Sequence, residues 1–116
     1  MLTITPSQHT AFEAQELRRF REDLINALRA NLPDEYRRKS DDEVGRFVDW
    51  GIEKARGYQI VMEPDVARFI ELVSGFGKDF DRNFRTAWMD EILRRVETPA
   101  QQRLDLVLER LAFGGD

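Results

Sequence analysis

The chain has 116 residues, 41% of them hydrophobic and 34% charged, with a formal net charge of −4. That is enough chain for one folded domain (residues 1–116) and one core, it is too rich in apolar residues for a disordered segment, and its acidity argues against a generic nucleic-acid binder, whose affinity rests on neutralising phosphates. With no cysteine and a single histidine, His9, the sequence offers no disulfide, no thiolate nucleophile and no set of transition-metal ligands.

Thr5 and Pro6 predict the start of a first helix, a capping residue followed by a proline at the first helical position, with Ser7 as a competing cap. Phe12, Leu17, Phe20, Leu24, Leu28 and Leu32 follow, mostly at three- or four-residue steps, and define one apolar stripe. Pro33 ends this helix by barring its predecessor from the helical region. The result is a rod of roughly 37 Å. The opening residues lack a basic segment followed by an apolar run, so no secretory signal is read there. No stretch approaches the roughly 20 apolar residues of a membrane span. A cytoplasmic protein without membrane contact is the expectation.

Residues 31–39 read as a polar link with room for a helical turn at 34–37. Ser40 and Glu43 match the S-x-x-E capping box and open a second long helix. Its apolar face carries Val44, Phe47, Val48, Ile52 and Ala55. Gly51 shares that face, and a mid-helix glycine there predicts a close helix crossing. Gly57 is expected to close the helix in a left-handed conformation. The apolar run YQIVM at 58–62 has no partner strand, so it is read as an extended linker against the core rather than a sheet.

Glu63-Pro64-Asp65 predicts the next helix start, with acids near the positive end of its dipole. Val66, Phe69, Ile70 and Val73 form its expected buried face, with Leu72 and Phe76 beside them and Gly75 and Gly77 bracketing its end. Residues 78–83 are a polar turn around Phe80, and a fourth helix is expected over 84–96 with Trp88, Ile92 and Val96 in line. Thr98-Pro99 repeats the cap-then-proline signal, Gln101 is placed to complete a capping box, and Leu104, Val107, Leu108 and Leu111 mark the last helix. The fold class that follows is all-α: a compact single-domain bundle of about five helices.

Motifs that carry chemistry are scarce. Asp79, Asp81 and Asn83 imitate the opening of a calcium loop, but Phe84 stands where that loop needs glycine and Asp90 where it needs a bidentate glutamate. These residues read instead as a cap on the following helix. Gly75-Phe76-Gly77-Lys78 lacks the spacing and the preceding strand of a phosphate loop and reads as a helix stop. His9 has no carboxylate close in sequence to orient it as a base. Helix acids such as Glu53 and Glu91 have an arginine three or four residues on, and read as surface ion pairs. No catalytic residue, metal site or cofactor follows. The aromatics are the better clue. Trp50 lies off the apolar stripe of its helix, Phe80 and Phe84 flank a polar turn, and these with Trp88 are the candidate partner-binding residues. The alternative is that Phe80, Phe84 and Trp88 plug the end of the bundle.

One resemblance covers most of the chain and is strongest over 51–88. It is carried by Gly51-Ile52-Glu53, Ala55-Arg56, Tyr58 and Ile60, then by Glu63, Asp65-Val66-Ala67-Arg68-Phe69-Ile70-Glu71-Leu72. Gly77, Asp79-Phe80-Asp81, Trp88, Ile92-Leu93, Pro99 and Arg103-Leu104-Asp105 complete it. This pattern resembles small helical proteins encoded beside PAAR-tipped or other polymorphic effectors of bacterial type VI secretion systems. The resemblance implies a non-enzymatic accessory: a chaperone, adaptor or co-effector that engages the effector or its PAAR-bearing carrier. It brings no active site with it, and implies that the first helix is where partner choice resides. An immunity protein that blocks a cognate toxin is the alternative. Its acidity would suit a basic toxin, because complementary charge speeds association.

Overall fold

The computed structural model describes the backbone of residues 6–113 and side chains from residue 14 onward. The fold is all-α: α1 (Pro6–Asn31), α2 (Pro33–Tyr36), α3 (Asp41–Gly57), α4 (Glu63–Ser74), α5 (Ala87–Leu93) and α6 (Ala100–Phe113). No strand occurs among the described residues. The chain divides into two compact units, Met1–Asp49 and Trp50–Asp116, and the division falls within α3.

In the first unit, α1 begins at Pro6 and stops before Pro33, where the proline signals place its ends. The expected caps Thr5 and Ser7, the stripe residue Phe12, and His9 lie outside the residues whose side chains are described. Leu24 and Leu28 are buried, as the stripe requires, while Leu17 is exposed. The helical turn in the link is α2, and it buries Tyr36, whose ring lies 6.4 Å from that of Phe47. Arg29 gathers this turn. It donates to Tyr36 O at 3.0 Å and Lys39 O at 2.9 Å, and pairs with Asp41 at 2.7 Å. Both halves of the capping box form: the Glu43 N–H donates to Ser40 Oγ and the Ser40 N–H to Glu43 Oε1, each at 3.1 Å. A forked contact from Arg21 to Asp49, at 2.7 and 3.2 Å, ties α1 to α3.

The second unit confirms the crossing at Gly51. A β-carbon there would lie 2.6 Å from Ile70 Cγ1, so α4 approaches the α3 backbone as closely as only glycine permits. The end of α3 departs from expectation. Among the described residues, positive φ belongs to Gln59 (62°) and Gly77 (91°), not to Gly57. The Ile60 N–H reaches Ala55 O and the Gln59 N–H reaches Arg56 O, both at 2.9 Å. This is the Schellman pattern, and Gln59 occupies its left-handed position. The helical bonding simply runs two residues beyond the glycine. The linker behind it alternates. Tyr58 and Ile60 are buried, while Val61 and Met62 face solvent.

Helix α4 buries Val66, Phe69, Ile70 and Val73, as its periodicity predicts. Helix α5 is half the expected length. It starts at Ala87 because Asn83 Oδ1 takes the Arg85 N–H in a local turn and Thr86 Oγ1 donates to Phe80 O, so side chains hold residues 83–86 in turns. It stops at Leu93, leaving Val96 exposed, and its buried face is Met89, Ile92 and Leu93 rather than the Trp88–Ile92–Val96 line. On α6, Leu104 and Val107 are buried but Leu108 is exposed. Arg103 is buried instead, at 2% exposure. Its Nη1 donates to Tyr58 O and Leu93 O, both at 2.7 Å, and its Nε to Thr98 O at 2.8 Å. Two of these carbonyls lie at the ends of α3 and α5, where helical carbonyls lack intrahelical donors and the dipole is negative. Burial pushes the Arg103 guanidinium below its ordinary pKa, and the charges of Glu97 and Asp65 oppose that shift.

Candidate functional site

The unit from Trp50 onward holds a polar cluster and an aromatic–arginine surface. The polar cluster begins with Lys54, whose Nζ pairs with Asp81 Oδ2 at 2.6 Å and lies 5.4 Å over the Tyr58 ring and 5.8 Å over the Phe80 ring. The Tyr58 hydroxyl donates to Asp90 Oδ1 at 2.5 Å, and Arg94 Nε donates to Asp90 Oδ2 at 2.6 Å. Burial, and then the acceptor Asp90, push the Tyr58 phenol well above its usual range. The Lys54 hydrogen bond outweighs burial and holds Asp81 below the usual carboxylate range. A general base works when its pKa lies near the operating pH. Tyr58 is moved away from that range, and Asp81 is bonded to an ammonium. The cluster therefore ties the end of α3 to the turn at 79–83 and to α5.

The residues of the calcium-like motif are bound up in the same turns. The carbonyl of Asp79 accepts from the Arg82 and Asn83 N–H groups, Asp81 holds Lys54, and Asn83 bonds the Arg85 N–H. Among the described residues no group of three histidine, cysteine or acidic side chains is placed to hold a metal. Glu53 does pair with Arg56, at 3.2 Å, but Arg94 turns to Asp90 rather than to Glu91.

The four aromatic candidates separate. Phe80 is fully buried, which corrects its assignment as a contact residue. Its ring packs 6.1 Å from Phe69 and 6.5 Å from Trp50, both nearly edge to face, and Phe69 meets Tyr58 in the same way at 5.8 Å. Phe80 is thus an inner member of the row Tyr58–Phe69–Phe80–Trp50, and Lys54 lies over its ring at 5.8 Å. Trp50 is half-buried at the end of the row. Phe84 is 85% exposed. Trp88 is half-buried, its Nε1 donating to Arg85 O at 3.1 Å.

Phe84 and Trp88 each lie under an arginine that the sequence pattern did not single out, and the Trp88 indole bonds the backbone of Arg85. The Arg85 guanidinium lies 5.5 Å over the Phe84 ring, and that of Arg110 lies 4.4 Å over the Trp88 ring. Helices α5 and α6 run antiparallel here, because Arg103 meets Leu93 while Arg110 meets Trp88. Leu106 and Phe113, four residues before Arg110 and three after it, share its flank of α6; both are exposed, Phe113 at 89%. Arginine and large aromatics together are the residue types enriched where protein interfaces hold most of their energy. No helix among the described residues is long and apolar enough to cross a membrane. Comparison with protein-family models, with curated proteins and with solved structures finds no match to this chain.

Proposed function

We propose that the chain is a protein-interaction module without catalytic activity of its own, acting in the cytoplasm as an accessory chaperone or adaptor for a type VI secretion effector or its PAAR-bearing carrier. The observation that carries the contact reading is the surface of Phe84, Trp88, Arg85 and Arg110. An aromatic side chain that is 85% exposed contributes little to folding and is available to a partner. Polar groups drawn into the fold support the same reading, because Tyr58, Asp81 and Arg103 each commit polar atoms to bonds that hold the fold. The secretion-system assignment rests on the sequence resemblance alone.

The test is affinity purification with mass spectrometry from the native bacterium, followed by reconstitution. A stoichiometric complex with an effector or carrier encoded nearby, burying roughly 1,600 Å², is the expected outcome. A chaperone raises the effector's level or export; an immunity protein instead rescues cells from the toxin. Turnover of any substrate by the purified chain, lost on changing one polar residue that leaves it folded, would refute the proposal.

A further inference from the structure

We infer that the Phe84–Trp88 surface docks an acidic, amphipathic peptide segment of the partner, with Arg85 and Arg110 receiving its carboxylates. This rests on the contact reading above and names the chemistry of what is contacted. Some arginines of the chain hold a carboxylate of the chain itself, as in the pairs Arg21–Asp49, Arg29–Asp41, Arg68–Asp105 and Arg94–Asp90. Arg85 and Arg110 make no ion pair among the described residues and lie over aromatic rings instead. A guanidinium over a ring keeps its planar N–H fork available, and that fork matches a carboxylate bidentately. Arg82, beside the same turn, also lacks an ion pair among the described residues and adds to the local positive charge.

The apolar part of the occupant follows from the side chains beside these charges. Phe84 and Trp88 lie under the two guanidiniums, and the exposed Leu106 and Phe113 share Arg110's flank of α6. A peptide that presents carboxylates beside large apolar side chains satisfies both. A nucleic acid would also stack on aromatics beside arginine. The exposed Leu106, however, offers a base no ring to stack on, and this favours apolar peptide side chains.

The experiment selects a phage-displayed random-peptide library on the full chain, then measures the enriched peptides by fluorescence anisotropy. Enriched peptides are expected to carry Asp or Glu next to aromatic or branched aliphatic residues. Their affinity should fall about tenfold or more in the Arg85→Gln/Arg110→Gln double variant and weaken as salt rises. The exposed Arg95→Gln should leave it unchanged, and unaltered circular dichroism and melting certify that each variant is folded. Absence of enrichment, enrichment of peptides without acids, or equal binding by the double variant would overturn the inference. So would retention of a labelled oligothymidylate that the double variant loses, which would assign the surface to nucleic acid. The two readings fail separately. If the wild type captures its cellular partner and the double variant captures it equally, this inference fails while the contact reading stands; if the wild type captures none, the contact reading itself fails.

Discussion

Replacing Arg103 by methionine keeps most of the side-chain volume and removes every donor. Two buried carbonyls, Tyr58 O and Leu93 O, lose the bonds they receive from Nη1, and Thr98 O loses its bond from Nε. A buried acceptor left without a partner costs about 1–3 kcal/mol. Two such groups, with a smaller loss at the part-buried Thr98 O, give a gross cost of roughly 3–6 kcal/mol. Relief of the buried charge's desolvation offsets part of that, as when ion pairs are exchanged for apolar residues. The expected net loss is about 3 kcal/mol, a large share of the about 5–15 kcal/mol that stabilises a typical domain. Urea unfolding followed by far-ultraviolet circular dichroism measures it directly. Arg103→Lys should recover only part, since an ammonium is a compact charge and cannot span three carbonyls with a planar fork. Arg95→Met, at an exposed position, should stay within about 0.5 kcal/mol of wild type. A loss below about 0.5 kcal/mol for Arg103→Met would refute the claim that this guanidinium holds the ends of α3 and α5 together.

Exposure separates two phenylalanines that stand four residues apart. Phe80→Ala should cost about 3–5 kcal/mol and Phe84→Ala less than about 0.5 kcal/mol in the same urea experiment, while Phe84→Ala weakens partner binding. Gln59→Gly should raise stability by about 1 kcal/mol, because it relieves a left-handed residue at the end of α3; no gain would mean that the Schellman end is not formed. Gly51→Ala should destabilise by about 1–3 kcal/mol through Ile70, and truncating Ile70 to alanine in the same chain should make the two losses less than additive. The Tyr58 phenol has a raised pKa in the folded state, so its contribution is complete below the unfolded value of about 10 and declines as pH rises past it. The stability difference between wild type and Tyr58→Phe should therefore shrink between about pH 9 and pH 11, by at most about 1.4 kcal/mol per pH unit; a constant difference would show that Tyr58 ionises as readily folded as unfolded.

Helix positions were legible where a local rule acts alone. Pro6, Pro33, the Ser40–Glu43 box and the Glu63-Pro64 start all fall where backbone geometry and capping demand. Gly51 was legible because a glycine on an apolar face has few reasons other than a close approach. The reading failed where a side chain competes with the helix ladder or acts across the fold. Asn83 and Thr86 delay α5 by bonding backbone groups of the preceding turn, and nothing in the period of Trp88, Ile92 and Val96 reveals that. Phe80 sits between Asp79 and Asp81, and the sequence there leaves open a contact residue or a plug at the end of the bundle. Its burial depends on Phe69, eleven residues earlier, and on Lys54, which removes Asp81 from the solvent-facing charges.

The candidate surface shows the same division through its arginines. Phe84 and Trp88 were visible as surplus aromatics, whereas Arg85 and Arg110 were not, because a guanidinium's role depends on what opposes it. Arg68 meets the carboxylate of Asp105, Arg103 meets three carbonyls, and Arg110 meets the face of Trp88. Arg103 and Arg110 are seven residues apart and so lie on nearly the same side of α6. Sequence alone had one signal for this: an arginine at 103 shares the buried face of Leu104 and Val107, where a solvated charge has no place. Because α6 runs antiparallel to α5, seating Arg103 on Leu93 O at one end fixes where Arg110 reaches α5 at the other. The buried cation thereby sets the register of the exposed one. Loss of Arg103 should therefore disturb partner binding even in variants that remain folded.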